Sequence, residues 1–151
     1  MFGKRRSGRQ TPSSGCRPPN GPPDLLPFPS PSAGLTATSV SLIGGRDSQQ
    51  DALDHRTYPD GSFAAAVCDG MGGLNGGATA SQTACLGFFS QYDALPAFGS
   101  EGPDLARIAR RLDLQVKDLR DSSGMPLDGG STLTGIVIEK TGTNKAIIIL
   151  T

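Results

Sequence analysis

From residue 35 onward, apolar and β-branched stretches alternate with glycine-rich turns. Residues 35–43 are rich in β-branched side chains and close on Gly44 and Gly45, which predicts a strand followed by a turn. The apolar run 63–68 lies between a Pro-Asp-Gly turn and another glycine cluster and is too short for a helix. We predict a second, buried strand there that ends at Asp69, and a loop around His55 between the two strands.

Two later segments carry helical spacing. Residues 75–92 contain no proline and place Ala80, Ala84 and Phe88 four residues apart. Asp104 is suited to cap a second helix, because its carboxylate accepts a hydrogen bond from a free N–H of the first turn. The apolar residues of that helix step by three or four along one face: Leu105, Ile108, Leu112, Val116 and Leu119.

The remaining elements complete an α+β pattern. A glycine-rich stretch over residues 122–130 precedes two predicted strands, 132–139 and 145–151, joined by a turn at 141–144. The order strand, strand, helix, helix, strand, strand favours a largely antiparallel sheet with helices on one face. The final strand is apolar and has nothing after it to cover it, so we expect a partial domain and self-association through this exposed terminal strand.

Charge and proline content divide the chain into two parts. The 151 residues carry 14 basic and 14 acidic side chains, a balance that favours neither a nucleic-acid nor a membrane partner. Residues 1–34 hold eight of the 12 prolines, with five basic residues and one acidic residue, a charge of +4. We predict a disordered tail over 1–34, with a proline-rich ligand or an organelle transit peptide as alternatives, and one domain over 35–151.

Cysteine use and hydropathy favour a cytoplasmic protein. The three cysteines form no Cys-x-x-Cys pair, and an odd number does not close a disulfide framework. Cys68 and Cys85 fall within predicted apolar elements, so we interpret them as small core residues. No apolar run approaches the length of about 18 residues that a membrane span needs, and no apolar segment follows the basic N-terminus as in a signal peptide.

Two carboxylates lie at the ends of predicted strands, beside glycines. Asp51 follows Gly44 and Gly45 within one segment, and Asp69 begins the run Asp-Gly-Met-Gly-Gly. A carboxylate at a strand end is held by the sheet, while the glycines let the chain turn sharply. Oxygen ligands of this kind select hard cations such as Mg²⁺ or Mn²⁺, and no cysteine or histidine stands at a zinc spacing.

The combination of these motifs resembles the metal-dependent protein serine/threonine phosphatases of type 2C, the PPM family. The resemblance rests on Arg46 five residues before Asp51, on the segment from Val67 to Ser81, and on the later segment 130–132 with the sequence Gly-Ser-Thr. It covers roughly residues 35–151 and corresponds to the N-terminal part of that catalytic domain. The fold it implies is part of a four-layer αββα sandwich, and methionine after the Asp-Gly pair favours the bacterial-like subgroup.

The resemblance also implies a chemistry. Asp69 would bridge two Mg²⁺ or Mn²⁺ ions, Gly70 would contribute its carbonyl, and Asp51 would be a further metal carboxylate. Arg46 would bind the phosphate of the substrate, since a guanidinium fork suits phosphate oxygens. The implied reaction is the dephosphorylation of phosphoserine and phosphothreonine proteins by a metal-activated water, with no covalent enzyme intermediate. A proton-donating role for His55, four residues after Asp51, is a weaker alternative.

Two functional classes stay open from the sequence. The family's Gly-Asp-Ser-Arg strand and its later metal carboxylates do not occur in these 151 residues, so we expect weak activity or none from this chain alone. The alternative to an enzyme is a non-catalytic phosphatase-like module that binds a phosphoprotein or another polypeptide. A nucleotide-binding loop fits poorly, because residues 70–77 contain no lysine and match neither common glycine-rich motif.

Overall fold

The computed structural model describes residues 28–29, 36–73, 76–94, 104–141 and 143–150. Every strand pairing within them is antiparallel, which confirms the predicted α+β class with a largely antiparallel sheet. The elements of the described residues, in chain order, are β1 (Phe28–Pro29), β2 (Thr36–Ala37), β3 (Asp51–Thr57), β4 (Phe63–Met71), α1 (Gly76–Asp93), α2 (Leu105–Lys117), β5 (Gly130–Ser131), β6 (Thr134–Thr141) and β7 (Thr143–Leu150).

The main sheet is built around β4. Its strands follow the order β3-β4-β6-β7, and β5 pairs with β4 on the same edge as β6. The predicted hairpin of the last two strands is confirmed. Thr141 lies opposite Thr143, so both strands extend into the predicted turn 141–144. The predicted strand 63–68 is also confirmed and continues to Met71.

Both predicted helices are present, and together they cover one face of the sheet. α1 packs across β3 and β4, and α2 packs on α1. Phe88 and Phe89 of α1 are fully buried, and their rings meet edge to face with centroids 5.2 Å apart. The N–H of Arg107 donates to the Asp104 carboxylate at 2.9 Å, which confirms the predicted N-cap of α2. The buried face of α2 carries the predicted residues Leu105, Ile108 and Leu112.

The prediction of a strand over 35–43 is wrong for most of its length. Within the described residues 36–43, strand structure is limited to Thr36–Ala37, whose partner is β1, and residues 38–43 have no regular structure. Val40 and Leu42 are exposed there by 53% and 68%. β-branched residues favour a strand only where a neighbouring strand supplies hydrogen bonds and packing, and residues 38–43 pair with no described strand.

The prediction of a loop around His55 is also wrong, because residues 51–57 form β3. Arg56 lies on the helix-facing side of β3, with its guanidinium 4.4 Å from the Phe89 ring centroid. It forms an ion pair with Asp93 at 2.9 Å, and the hydroxyl of Tyr58 donates to the same carboxylate at 2.8 Å. Charged residues therefore occupy buried positions of this strand, which hides its alternating pattern in the sequence.

The predicted disordered tail 1–34 lies outside the described residues except for Phe28–Pro29. Phe28 and Pro29 pair with Ala37 and Thr36 in a two-stranded sheet. Proline lacks an N–H, but it is tolerated at the edge of a sheet, where one side of the strand needs no partner.

Candidate functional site

Three separate segments meet where β4 ends. Asp51 at the start of β3 lies directly opposite Asp69 of β4, and Ser131 of β5 lies opposite Gly70 on the other edge. Directly opposite residues of antiparallel strands place their side chains on one face, with Cβ atoms about 4.5–5.5 Å apart. The fold thus brings together Asp51, Asp69 and the Gly-Ser-Thr segment, which are far apart in the sequence.

The two carboxylates interact directly. Burial is the largest cause that raises the pKa of Asp51, followed by the negative charge of Asp69 and a hydrogen bond between the two side chains. The positive charge of Arg46 acts in the opposite direction and lowers the pKa of Asp51. Arg46 follows the turn at Gly44, where its N–H donates to the carbonyl of Ile43 at 3.4 Å. The charge of Arg46 therefore acts on Asp51.

Gly70 lies at a point where three backbones touch. Its N–H donates to the carbonyl of Gln50 at 3.2 Å. A Cβ at this position would lie 2.2 Å from the carbonyl oxygen of Gly77 and 2.4 Å from that of Gln50. Because both neighbours are backbone atoms, only glycine fits here without moving a strand or a helix. The missing side chain lets the start of α1 lie directly on the strand that carries Asp69.

The loop before β5 packs just as closely on the turn after Asp69. Gly72 has a φ of +138°, a conformation that favours glycine, and a Cβ there would lie 2.5 Å from the carbonyl oxygen of Asp128. A Cβ at Gly76 would lie 1.9 Å from that same oxygen, and one at Gly129 would lie 2.4 Å from the carbonyl carbon of Gly76. The turn after Asp69, the start of α1 and this loop are therefore in contact through their backbones.

The start of β3 is fixed from inside the fold. The carbonyl of Gln50 accepts a hydrogen bond from the Ser81 hydroxyl in addition to the one from Gly70. Ser81 is fully buried on α1. The side chain of Gln49 is also buried, and its Nε2 donates to the Ser41 hydroxyl at 2.6 Å. These contacts orient the residue that precedes Asp51.

Thr132 holds the backbone of Asp69 from the other side. Its N–H donates to the Asp69 carbonyl at 2.9 Å, and its Oγ1 accepts from the Asp69 N–H at 3.0 Å. The carbonyl of Thr132 accepts from the hydroxyl of Ser131 at 2.7 Å. Both hydroxyls of the Gly-Ser-Thr segment are thus used within the fold.

The donor set of this site fits a hard divalent cation. The carboxylates of Asp51 and Asp69 lie on one face, and their mutual repulsion is the interaction that a bound cation would relieve. Mg²⁺ is commonly bound by one or two carboxylates while it retains several waters. In the described part of the chain, no cluster of three or more His, Cys, Asp or Glu side chains is placed to hold a metal ion.

Among the other residues singled out in the sequence, His55 lies away from the carboxylate pair. His55 is four residues along β3 from Asp51, about 13 Å at the usual rise of a strand, and its ring lies 6.1 Å from that of Phe63. Cys68 and Cys85 are buried in the core, as predicted, and Cys16 lies outside the described residues. Met71 is 56% exposed at the end of β4.

Sequence reasoning missed the contact of the loop 126–130 with the glycine turn. Its only signal was the pair Gly129-Gly130, which the sequence places in a long glycine-containing stretch with no indication of its partner. The role of Thr132 was equally hidden, because a hydroxyl that accepts from a backbone N–H 63 residues away leaves no local pattern.

Searches for similar proteins returned no match: no family model, no curated protein and no solved structure resembles this chain closely enough to report. Among the described helices, none is both long and apolar enough to cross a bilayer.

Proposed function

We propose that this site binds divalent cations and hydrolyses phosphoserine and phosphothreonine in proteins. The observation that carries the proposal is the antiparallel register that places Asp51 directly opposite Asp69. Two adjacent carboxylates at strand ends, beside a glycine turn, supply the oxygen ligands that Mg²⁺ and Mn²⁺ prefer. The electrostatic interaction of Arg46 with Asp51 adds a cationic side chain that suits a phosphate group.

Each residue has a part in this proposal. Asp51 and Asp69 would hold the cations with their carboxylates, and Gly70 would add its carbonyl oxygen. When bound, such ions lower the pKa of a water molecule and neutralise the oxygens of a phosphate group. Arg46 would bind phosphate oxygens through its guanidinium fork and orient the phosphorus toward the carboxylate pair.

The tight backbone contacts around Gly70 support a role in positioning. A ligand site must hold its groups to within a fraction of an ångström, and helices and strands do this better than loops. At Gly70 the strand, the helix start and the residue before Asp51 touch with no side chain between them. We also place this activity in the cytoplasm, where the buried thiols Cys68 and Cys85 would remain reduced.

The test is hydrolysis of para-nitrophenyl phosphate by residues 1–151 with Mn²⁺, with and without a chelator. Because the later metal carboxylates of the family do not occur in these residues, we expect weak turnover at most. The chelator and Asp69→Asn should each abolish it, because the first removes the cation and the second deletes an anionic ligand. Asp113→Asn makes the same chemical change on the exposed face of α2 and should leave turnover unchanged. Arg46→Ala should raise the KM for the phosphate ester, while Arg110→Ala, exposed on α2, should not.

The result distinguishes an enzyme from a binding module. Turnover that survives Asp69→Asn would refute the assigned role of the carboxylate pair. A folded protein that binds Mn²⁺ but shows no turnover would refute catalysis by this chain and support the alternative of a phosphatase-like binding module. A folded protein that binds no Mn²⁺ would refute the cation site itself.

A further inference from the structure

We propose that Thr132 is a positioning residue for the cation site, which it serves by holding the backbone of Asp69 through its hydroxyl. The inference rests on the proposed function, because it assigns Thr132 to the same site. Thr132 touches neither cation nor substrate in this scheme. Its effect passes through the orientation of Asp69.

The register of the sheet makes Thr132 the strand partner of Asp69. Thr134 of β6 lies opposite Val67, and Ser131 of β5 lies opposite Gly70. The same register continues between these two pairs, which puts Thr132 opposite Asp69. The bond from the Thr132 N–H to the Asp69 carbonyl, at 2.9 Å, is one of the two that such a pair normally exchanges.

The second bond of this pair is made by a side chain. In a regular antiparallel ladder, the Asp69 N–H would donate to the Thr132 carbonyl. It donates to the Thr132 hydroxyl instead, at 3.0 Å, while the Thr132 carbonyl accepts from the Ser131 hydroxyl at 2.7 Å. The ladder is thus interrupted between β5 and β6, and a threonine hydroxyl bridges the interruption at the residue that carries the carboxylate.

This arrangement makes the hydroxyl specifically important. Groups that orient a metal ligand typically change metal affinity about 10- to 100-fold when they are removed. Valine has the shape of threonine but offers no acceptor, so Thr132→Val would leave the Asp69 N–H without its partner. Serine keeps the acceptor, so Thr132→Ser retains the bond.

The experiment measures two properties of the 151-residue chain and its variants: Mn²⁺ affinity by calorimetry, and the rate of hydrogen exchange at the Asp69 amide. Thr132→Val is expected to weaken Mn²⁺ binding about 10- to 100-fold and to speed exchange at Asp69. Thr132→Ser should restore both properties. Thr134→Val, the same change at an exposed residue opposite Val67, is the matched control and should alter neither. Thr132→Ala serves as a second deletion if the valine variant does not fold.

The outcomes separate this inference from the proposed function. If the wild-type chain and Thr132→Val bind Mn²⁺ with equal affinity, the role of Thr132 is overturned and the cation site is not. Failure of the folded wild-type chain to bind Mn²⁺ would overturn the cation site, and the inference with it, whatever the exchange at Asp69. Weakened binding in Thr134→Val as well as Thr132→Val would also overturn the inference, because the effect would then be a general one of the strand.

Discussion

Removal of the Asp93 carboxylate is expected to destabilise the fold more than any exposed charge substitution. Asp93 ends α1, where a negative charge is unfavourable next to the helix dipole. Two partners offset this charge. Arg56 of β3 forms an ion pair with the carboxylate at 2.9 Å, and the hydroxyl of Tyr58, the residue after β3, donates to it at 2.8 Å. The side chains of Arg56 and Asp93 are only 11% and 18% exposed.

The size of the effect follows from these contacts. A hydrogen bond to a charged group contributes about 1.5–3 kcal/mol, and Asp93→Ala removes two of them. Breaking a buried ion pair by deleting one partner costs about 3–5 kcal/mol. Arg56 keeps the carboxylate of Asp54 at 3.6 Å as a second partner, so we expect the lower end of this range. Both estimates, from the hydrogen bonds and from the ion pair, give a loss of about 3 kcal/mol or more in the free energy of unfolding. Tyr58→Phe removes one hydrogen bond and should cost about half as much.

Urea unfolding of the full chain, followed by circular dichroism, measures this loss. The matched control is Asp113→Ala, which breaks the exposed pair with Lys117 at 2.8 Å and should cost about 0–1 kcal/mol. Equal losses for Asp93→Ala and Asp113→Ala would refute the assignment of Arg56 and Asp93 as a buried link between β3 and α1. A double-mutant cycle with Arg56→Met should give a coupling energy above about 1 kcal/mol.

Three further predictions concern the candidate site. Burial, followed by the charge of Asp69, raises the pKa of Asp51 in the folded state. Protonated Asp51 therefore contributes its full stability below the pKa of the unfolded state, and this contribution is lost as pH rises through the pKa of the folded state. Asp51→Asn should therefore stabilise the cation-free protein at neutral pH and flatten its pH dependence in urea titrations. Gly70→Ala should lower the free energy of unfolding by about 1–3 kcal/mol or more, since the new Cβ would lie 2.2 Å from a backbone oxygen. Gly45→Ala is the control and should cause no such loss in thermal unfolding, because nothing lies within 4 Å of a Cβ there. Ser81→Ala removes a buried hydrogen bond and should cost about 0.5–1.5 kcal/mol by the same measurement, and no loss would refute its role.

The predictable part of the fold is the part with strong periodicity. α2 begins after its N-cap Asp104 and buries the predicted face, because a helix on a protein surface repeats its apolar positions every three or four residues. β3 was missed because Arg56 occupies a helix-facing position, made tolerable by Asp93 from an element 37 residues away. The strand prediction for residues 38–43 was wrong for the opposite reason, because these residues have strand propensity but pair with no described strand.

The candidate site shows the same division. The sequence pointed to Asp69 because it begins a glycine-rich run, and to Asp51 because it follows the Gly44-Gly45 turn within one segment. The register then places the two residues opposite each other. Which backbone touches which glycine was not predictable, since a residue without a side chain leaves no trace of its contact partner. The pairing of Thr132 with Asp69 depends on β5 and β6 sharing one register along β4, a long-range property of the sheet.

The glycine contacts around the Asp69 turn also have a thermodynamic consequence. Glycine loses more conformational freedom on folding than any other residue, and Gly70, Gly72, Gly76 and Gly77 all become fixed in this small region. Ordering this turn therefore costs about 0.5–1 kcal/mol more for each glycine than for an alanine, and the repulsion between the two carboxylates adds to this cost. A ligand that binds only the ordered form returns stability as its concentration rises, about 2.7 kcal/mol at 100 times its Kd. Thermal shift in the presence of candidate cations and phosphoesters would thus identify the ligand of this site without an activity assay.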